Sequence, residues 1–88
     1  MANFDNSAQM GKNIILQFLR DRMQERNMSI QSVADKTGIP RPTLSRNLSG
    51  QTEITLDNFL KVLGALEIRP YFIPAETDEN QMERVFFN

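Results

Sequence analysis

Between Ser29 and Gly50 the chain reads SIQSVADKTGIPRPTLSRNLSG, and this stretch limits what it can fold into more than any other. Ser29 suits a helix N-cap, because its side-chain oxygen can accept from a first-turn amide. Ile30, Val33 and Ala34 then fall on one face of a short helix running to Lys36 or Thr37. Gly38 stands where a helix end commonly needs positive φ, and Ile39 plugs the corner. A second short helix buries Leu44 and Leu48, four residues apart, while Arg41, Ser45 and Arg46 form an exposed face with Thr43 also turned from the core. Helices joined by so tight a turn approach closely, and Ala34 is small enough to permit it.

The second helix opens unusually, on Pro40-Arg41-Pro42. A residue before proline is pushed out of the α region, whereas proline itself fits the first helical position. Arg41 is therefore expected as the N-cap or the last extended residue, with Pro42 as the first residue of the helix. Asn47, three residues from Leu44, is expected to be half-buried.

Flanking segments supply the rest of a core. Residues 1–7 carry no periodicity and read as a loose arm, with Ser7 able to cap the first helix. From about Ala8 to Arg26, Ile15, Phe18, Leu19 and Met23 recur at steps of three and four, the stripe of an amphipathic helix. Its other face, with Lys12, Gln17, Arg20, Asp21, Gln24 and Glu25, reads as solvated surface. Asn27 tolerates the left-handed conformation that ends helices. Thr55 caps a fourth helix with Asp57 in its first turn, where the helix dipole favours negative charge. Leu56, Phe59, Leu60, Leu63 and Leu66 form its apolar stripe, and Gly64 within it suggests a close packing contact.

After Leu66 the periodicity changes. Residues 68–73, IRPYFI, are rich in β-formers, with prolines at 70 and 74 that confine a strand to an edge. A lone strand leaves its backbone groups unpaired, and no second strand is readable elsewhere. Pairing with the same strand of a second subunit solves this, with Ile68, Tyr71, Phe72 and Ile73 at the dimer contact; the alternative is an extended segment lying on the first or fourth helix. Residues 75–88 are acidic until Val85, Phe86 and Phe87, and either are disordered or form a short helix from Asp78 to Phe87. That apolar end either packs back on the dimer or docks into a partner protein. The expected divisions are thus 1–7, 8–67, 68–74 and 75–88.

Composition removes several functions. The 88 residues include no cysteine and no histidine, so the usual zinc and haem ligands are missing and no metal or cofactor is expected. Asp78, Glu79 and Glu83 have helical spacing but read as a solvated acidic face. No nucleophile and base set or phosphate-binding glycine loop is present, which argues against an enzyme. With neither a signal-like N-terminus nor an apolar run of membrane length, the expectation is a cytoplasmic protein without membrane contact. The net charge of −1 hides an asymmetry: residues 1–66 hold eight Lys/Arg and six Asp/Glu, residues 67–88 two and five. Between Lys36 and Thr52 stand Lys36, Arg41 and Arg46 with no acidic residue, a local bias suited to an anionic partner.

From Met28 to Leu66 the sequence resembles the XRE family, the Cro and lambda-repressor-like helix-turn-helix proteins. Ser29, Val33-Ala34, Gly38-Ile39, Thr43-Leu44-Ser45-Arg46, Gly50 and the amphipathic helix after it carry the resemblance. It implies an all-α bundle of four to five helices, here followed by the C-terminal strand paired across a homodimer. It also implies that the third helix enters the major groove of double-stranded DNA, nominating Arg41, Pro42, Ser45 and Arg46 for base edges. Ser29, Thr43, Gly50, Gln51 and Thr52 are nominated for phosphates. Ile30 departs from the family, standing where many members carry a phosphate-binding Gln. Pro40 and Pro42 bracket Arg41 where Ser, Gln or Ala are commoner, which makes Arg46 the better candidate of the two arginines.

Two subtypes lie close. LSRNLSG followed by TLDNFLKVLGAL looks like addiction-module antidotes, and a strand then an aromatic-ended tail looks like HipB-type antitoxins. The resemblance implies a repressor dimer on a palindromic operator that also binds a toxin, with Val85, Phe86 and Phe87 at the toxin contact. A stand-alone or prophage-type repressor is the alternative.

Overall fold

Four helices succeed one another through short turns: α1 (Phe4–Glu25), α2 (Ile30–Thr37), α3 (Arg41–Ser49) and α4 (Leu56–Ala65). They come from a computed structural model that describes residues 4–74. The acidic tail, with Val85, Phe86 and Phe87, lies outside the described residues.

Each helix ends where its local chemistry directs. Asn27 takes φ 53 and Gly38 φ 79, as expected at these two ends. Beyond Asn27 the Met28 amide turns back to Met23 O over 2.8 Å, satisfying a carbonyl the last turn leaves open. Ser29 and Thr55 cap α2 and α4, their hydroxyls accepting from the amides of Ser32 and Asn58, each over 3.1 Å. At the end of α4, Glu67 adopts φ 56, a conformation that costs a non-glycine residue energy. Arg26 holds it there through an ion pair of 2.7 Å.

Leu19, Met23, Val33, Ala34, Ile39, Leu44, Leu48, Val62, Leu63 and Leu66 are buried together. α2 packs on both α3 and α4, and α1 packs on α3. Leu16, Met28, Ile54, Phe59 and Ile68 close the edges.

Several expectations require correction. α1 begins at Phe4, so Ser7 lies inside a helix rather than capping one. Its inward face is Leu16, Leu19 and Met23, while Ile15 and Phe18 are exposed. Among the described residues no element covers the flank carrying Ile15 and Phe18. Likewise α4 buries Val62 with Leu63 and Leu66, leaving Leu56 and Leu60 outward. Gly64 makes no close approach: a Cβ added there would meet nothing within 4 Å. Among the described residues there is no strand, and residues 68–74 come after α4 without regular structure. Ile68 is packed on the chain's own core, its amide bonded to Leu63 O over 2.9 Å.

Candidate nucleic-acid interface

α3 starts one residue earlier than its prolines suggest. Pro40 is the N-cap, Arg41 the first helical residue and Pro42 the second, so the first turn accommodates Arg41 before a proline. Pro40 offers no side-chain cap, and the Thr43 amide in that turn is left without an acceptor among the described residues. Leu44, Asn47 and Leu48 face inward. Arg41, Pro42, Ser45 and Arg46 are all exposed and Thr43 is half-buried. One helical turn separates Arg41 from Ser45 and Pro42 from Arg46, so these four side chains share one surface.

Its charge state depends on what the other cations do. On α1, Lys12 pairs with Glu53, Arg20 donates to Leu48 O over 2.5 Å and Arg22 to Leu66 O over 3.1 Å. Arg26 pairs with Glu67, and Lys61 of α4 with Asp57 over 3.0 Å. Each is held by an internal acceptor. Arg41 and Arg46 have no hydrogen-bonding or ion-pair partner among the described residues, and Lys36 makes only a longer-range attraction to Glu67, so the helix-turn-helix presents two uncommitted positive charges with a third nearby. The pairing also explains why the "solvated" face of α1 is partly structural: Arg20 caps the carbonyl end of α3 and Arg22 that of α4, where cations are favoured.

The candidates for phosphate contact divide in two. Ser29 is exposed, and its oxygen, already accepting from Ser32, keeps a hydroxyl proton to donate. A shallow cleft brings Ile30 at the start of α2 beside Ser45 and Ser49 of α3. Gly50, Gln51 and Thr52 are exposed, yet their amides turn inward. Gly50 takes φ 84 and donates to Asn47 O, while Gln51 and Thr52 donate to Arg46 O over 3.0 and 3.3 Å. Only the Gln51 and Thr52 side chains are left for an outside acceptor.

Asn47 was not expected to contribute, and it organises this turn. It is 4% exposed, its Nδ2 donates to Thr52 Oγ1 over 3.0 Å, and its Oδ1 has no partner. A polar residue at an inward position of a short helix was the signal in the sequence. Of the residues expected at a dimer contact, Tyr71 and Phe72 are exposed and Ile73 is at the margin of exposure, whereas Ile68 is half-buried on the core. No described helix is long and apolar enough to cross a membrane.

Two short helices crossing at a glycine-ended turn, the second presenting free arginines, define a helix-turn-helix domain. A family model described as helix-turn-helix matches residues 19–73. The chain belongs to that family, of XRE type, whose members are DNA-binding regulators and generally not enzymes. Neither a curated protein nor a solved structure matches the chain.

Proposed function

We propose that this protein is a sequence-specific transcriptional repressor that binds a palindromic operator as a homodimer. The observation that carries the reading is the contrast in charge pairing: the cations of α1 and α4 are internally held, while Arg41 and Arg46 on α3 are not. In this reading α3 lies in the major groove. Arg46 and Arg41 grip guanine O6 and N7, Ser45 reads a neighbouring base edge, and Pro42 contacts a thymine methyl. Ser29, Thr43, Gly50, Gln51 and Thr52 line the sugar-phosphate backbone, the last two through their side chains. Residues 68–73, with Ile68, Tyr71, Phe72 and Ile73, join two copies as paired strands, placing the α3 helices about 34 Å apart. The exposure of Tyr71 and Phe72 supports this role.

Within that function we propose an autoregulating antitoxin, acting in the cytoplasm, whose end at Val85, Phe86 and Phe87 holds a toxin. An acidic segment closing on aromatic residues supports it, by its likeness to HipB-type layouts.

Selection of binding sites from random duplexes tests the reading. An inverted repeat is expected, with affinity falling steeply as salt rises. No enriched sequence, or an affinity indifferent to salt, contradicts it. Deleting Val85 to Asn88 separates the finer claim: toxin binding is lost and operator affinity kept. Survival of both removes the antitoxin assignment and leaves a stand-alone repressor.

A further inference from the structure

α1 and α4 are clasped at both ends. Lys12 reaches Glu53 just ahead of α4, and Arg22 and Arg26 reach Leu66 O and Glu67 just beyond it. Between the clasps these helices lack the close packing each makes elsewhere. An open groove of about 410 Å³ lies there, with Ile15 and Leu16 on one wall and Leu56 and Phe59 on the other. Ile14 and Phe18 share the exposed flank of Ile15, and Leu60 lies one turn beyond Leu56. These side chains are far from covered, Phe18 at 53% and Leu56 at 71%.

We infer that this groove seats Phe72 and its neighbours Tyr71 and Ile73 from a second copy of the chain, in a reciprocal twofold exchange. The inference rests on the homodimer reading above and replaces its paired strands with side-chain docking as the contact. A twofold interface requires one surface to carry both complementary halves, and this chain carries an apolar groove that its described residues do not fill and an apolar segment whose Phe72 is 85% exposed. Its own segment does not fill the groove. Ile68 anchors that segment at the C-terminal end of α4, whereas Leu56 and Phe59 mark the N-terminal end, roughly 15 Å away along a ten-residue helix. Pro70 and Pro74 bracket the segment and interrupt backbone pairing, which leaves side-chain docking a larger share of the contact. The groove also borders Ser49, Gly50 and Thr52, so the docked segment abuts the turn proposed for phosphate contact.

The chain contains no cysteine, so single cysteines report contacts cleanly. Full-length Leu56→Cys and Phe72→Cys chains, carrying tags of different length, are mixed and oxidised. The expected product is the mixed disulfide, in excess over either homodimeric one, since bridged Cα atoms lie within about 7 Å. Leu56→Glu should weaken dimerisation at least tenfold with an unchanged circular dichroism spectrum, and Phe86→Asp with Phe87→Asp should leave the mixed disulfide intact. A stable dimer without the mixed disulfide overturns the groove assignment and leaves the homodimer standing. A monomer in sedimentation overturns both. Absence of the mixed disulfide with the tail intact, and its appearance with the Phe86 and Phe87 changes, gives the groove to the chain's own tail and overturns the inference.

Discussion

Asn47 Nδ2 lies 3.0 Å from Thr52 Oγ1, so a buried side chain on the inward face of α3 holds the turn that leaves it. The same residue keeps an acceptor, Oδ1, buried without a donor. The two effects oppose one another. A hydrogen bond of this kind contributes about 1 kcal/mol net, and an unpaired buried acceptor costs about 1 to 3 kcal/mol. Asn47→Leu keeps the branched shape and removes both but adds bulk that the site must absorb, so urea unfolding should show a stability within about 2 kcal/mol of the parent. Operator affinity should fall several-fold as the 50–52 turn is released. A large loss of stability would mean that Oδ1 is satisfied in solution.

Arg46 stands on the exposed surface of α3 with no internal partner. Its removal therefore costs the free protein little. Arg46→Ala should leave the unfolding midpoint within about 0.5 kcal/mol of the parent, as for other surface changes. Operator binding should weaken by about 1 to 3 kcal/mol, with a smaller effect on random DNA. Equal losses on both duplexes would assign the guanidinium to a phosphate. Arg41→Ala, measured alongside, ranks the two arginines.

Gly38 closes the turn between α2 and α3 at φ 79, and a Cβ there would touch nothing within 4 Å. The requirement is conformational and not steric. Gly38→Ala should destabilise the domain by about 1 to 2 kcal/mol, the cost of the left-handed region for an L residue. Gly38→Asn should lose less, because asparagine tolerates that region. Equal losses for the two in urea titrations would point to packing.

The helix-turn-helix was legible because its signals are local. Ser29, Gly38 and Thr55 act within a turn of their own position, and each is found in the role its chemistry predicts, while Ala34, Leu44 and Leu48 are buried as their spacing requires. The first turn of α3 misled by one residue, since packing of Leu44 and Leu48 outweighed the preference of Arg41 for an extended conformation before Pro42. The apolar stripes of α1 and α4 misled differently. Periodicity finds an apolar face but does not say what covers it, and Ile15, Phe18, Leu56 and Leu60 belong to a surface with no covering element in the described chain. The roles of Arg20 and Arg22 were hidden for a related reason. A cation capping a helix from a distance of 28 or 44 residues in sequence leaves no local pattern. For the interface itself, residue type and spacing placed Arg41, Pro42, Ser45 and Arg46 on one surface, but the inward turn of the Gln51 and Thr52 amides depends on backbone geometry.

Glu67 and Glu53 should give the protein a recognisable acid limb. The Arg26 guanidinium holds the Glu67 carboxyl below its ordinary 4.5, first by hydrogen bonding and then by charge, with Arg22 and Lys36 adding to it. Lys12 lowers Glu53 in the same way. A carboxylate that is more acidic in the folded chain takes its proton first in the unfolded one. Its contribution is therefore complete above about pH 5 and is lost as pH falls through the lowered folded values. Both pairs are exposed, so the effect is modest and shrinks with added salt. In urea titrations across pH 2 to 7, Glu67→Gln should be less stable than the parent near neutrality and converge on it at the acid end. Glu67→Gly should behave otherwise, because it also relieves the strained φ of 56. It should gain on Glu67→Gln by a similar amount, about 1 kcal/mol, at every pH. A gap between parent and Glu67→Gln that persists at pH 2 would assign the role of Glu67 to an uncharged side-chain contact and not its charge.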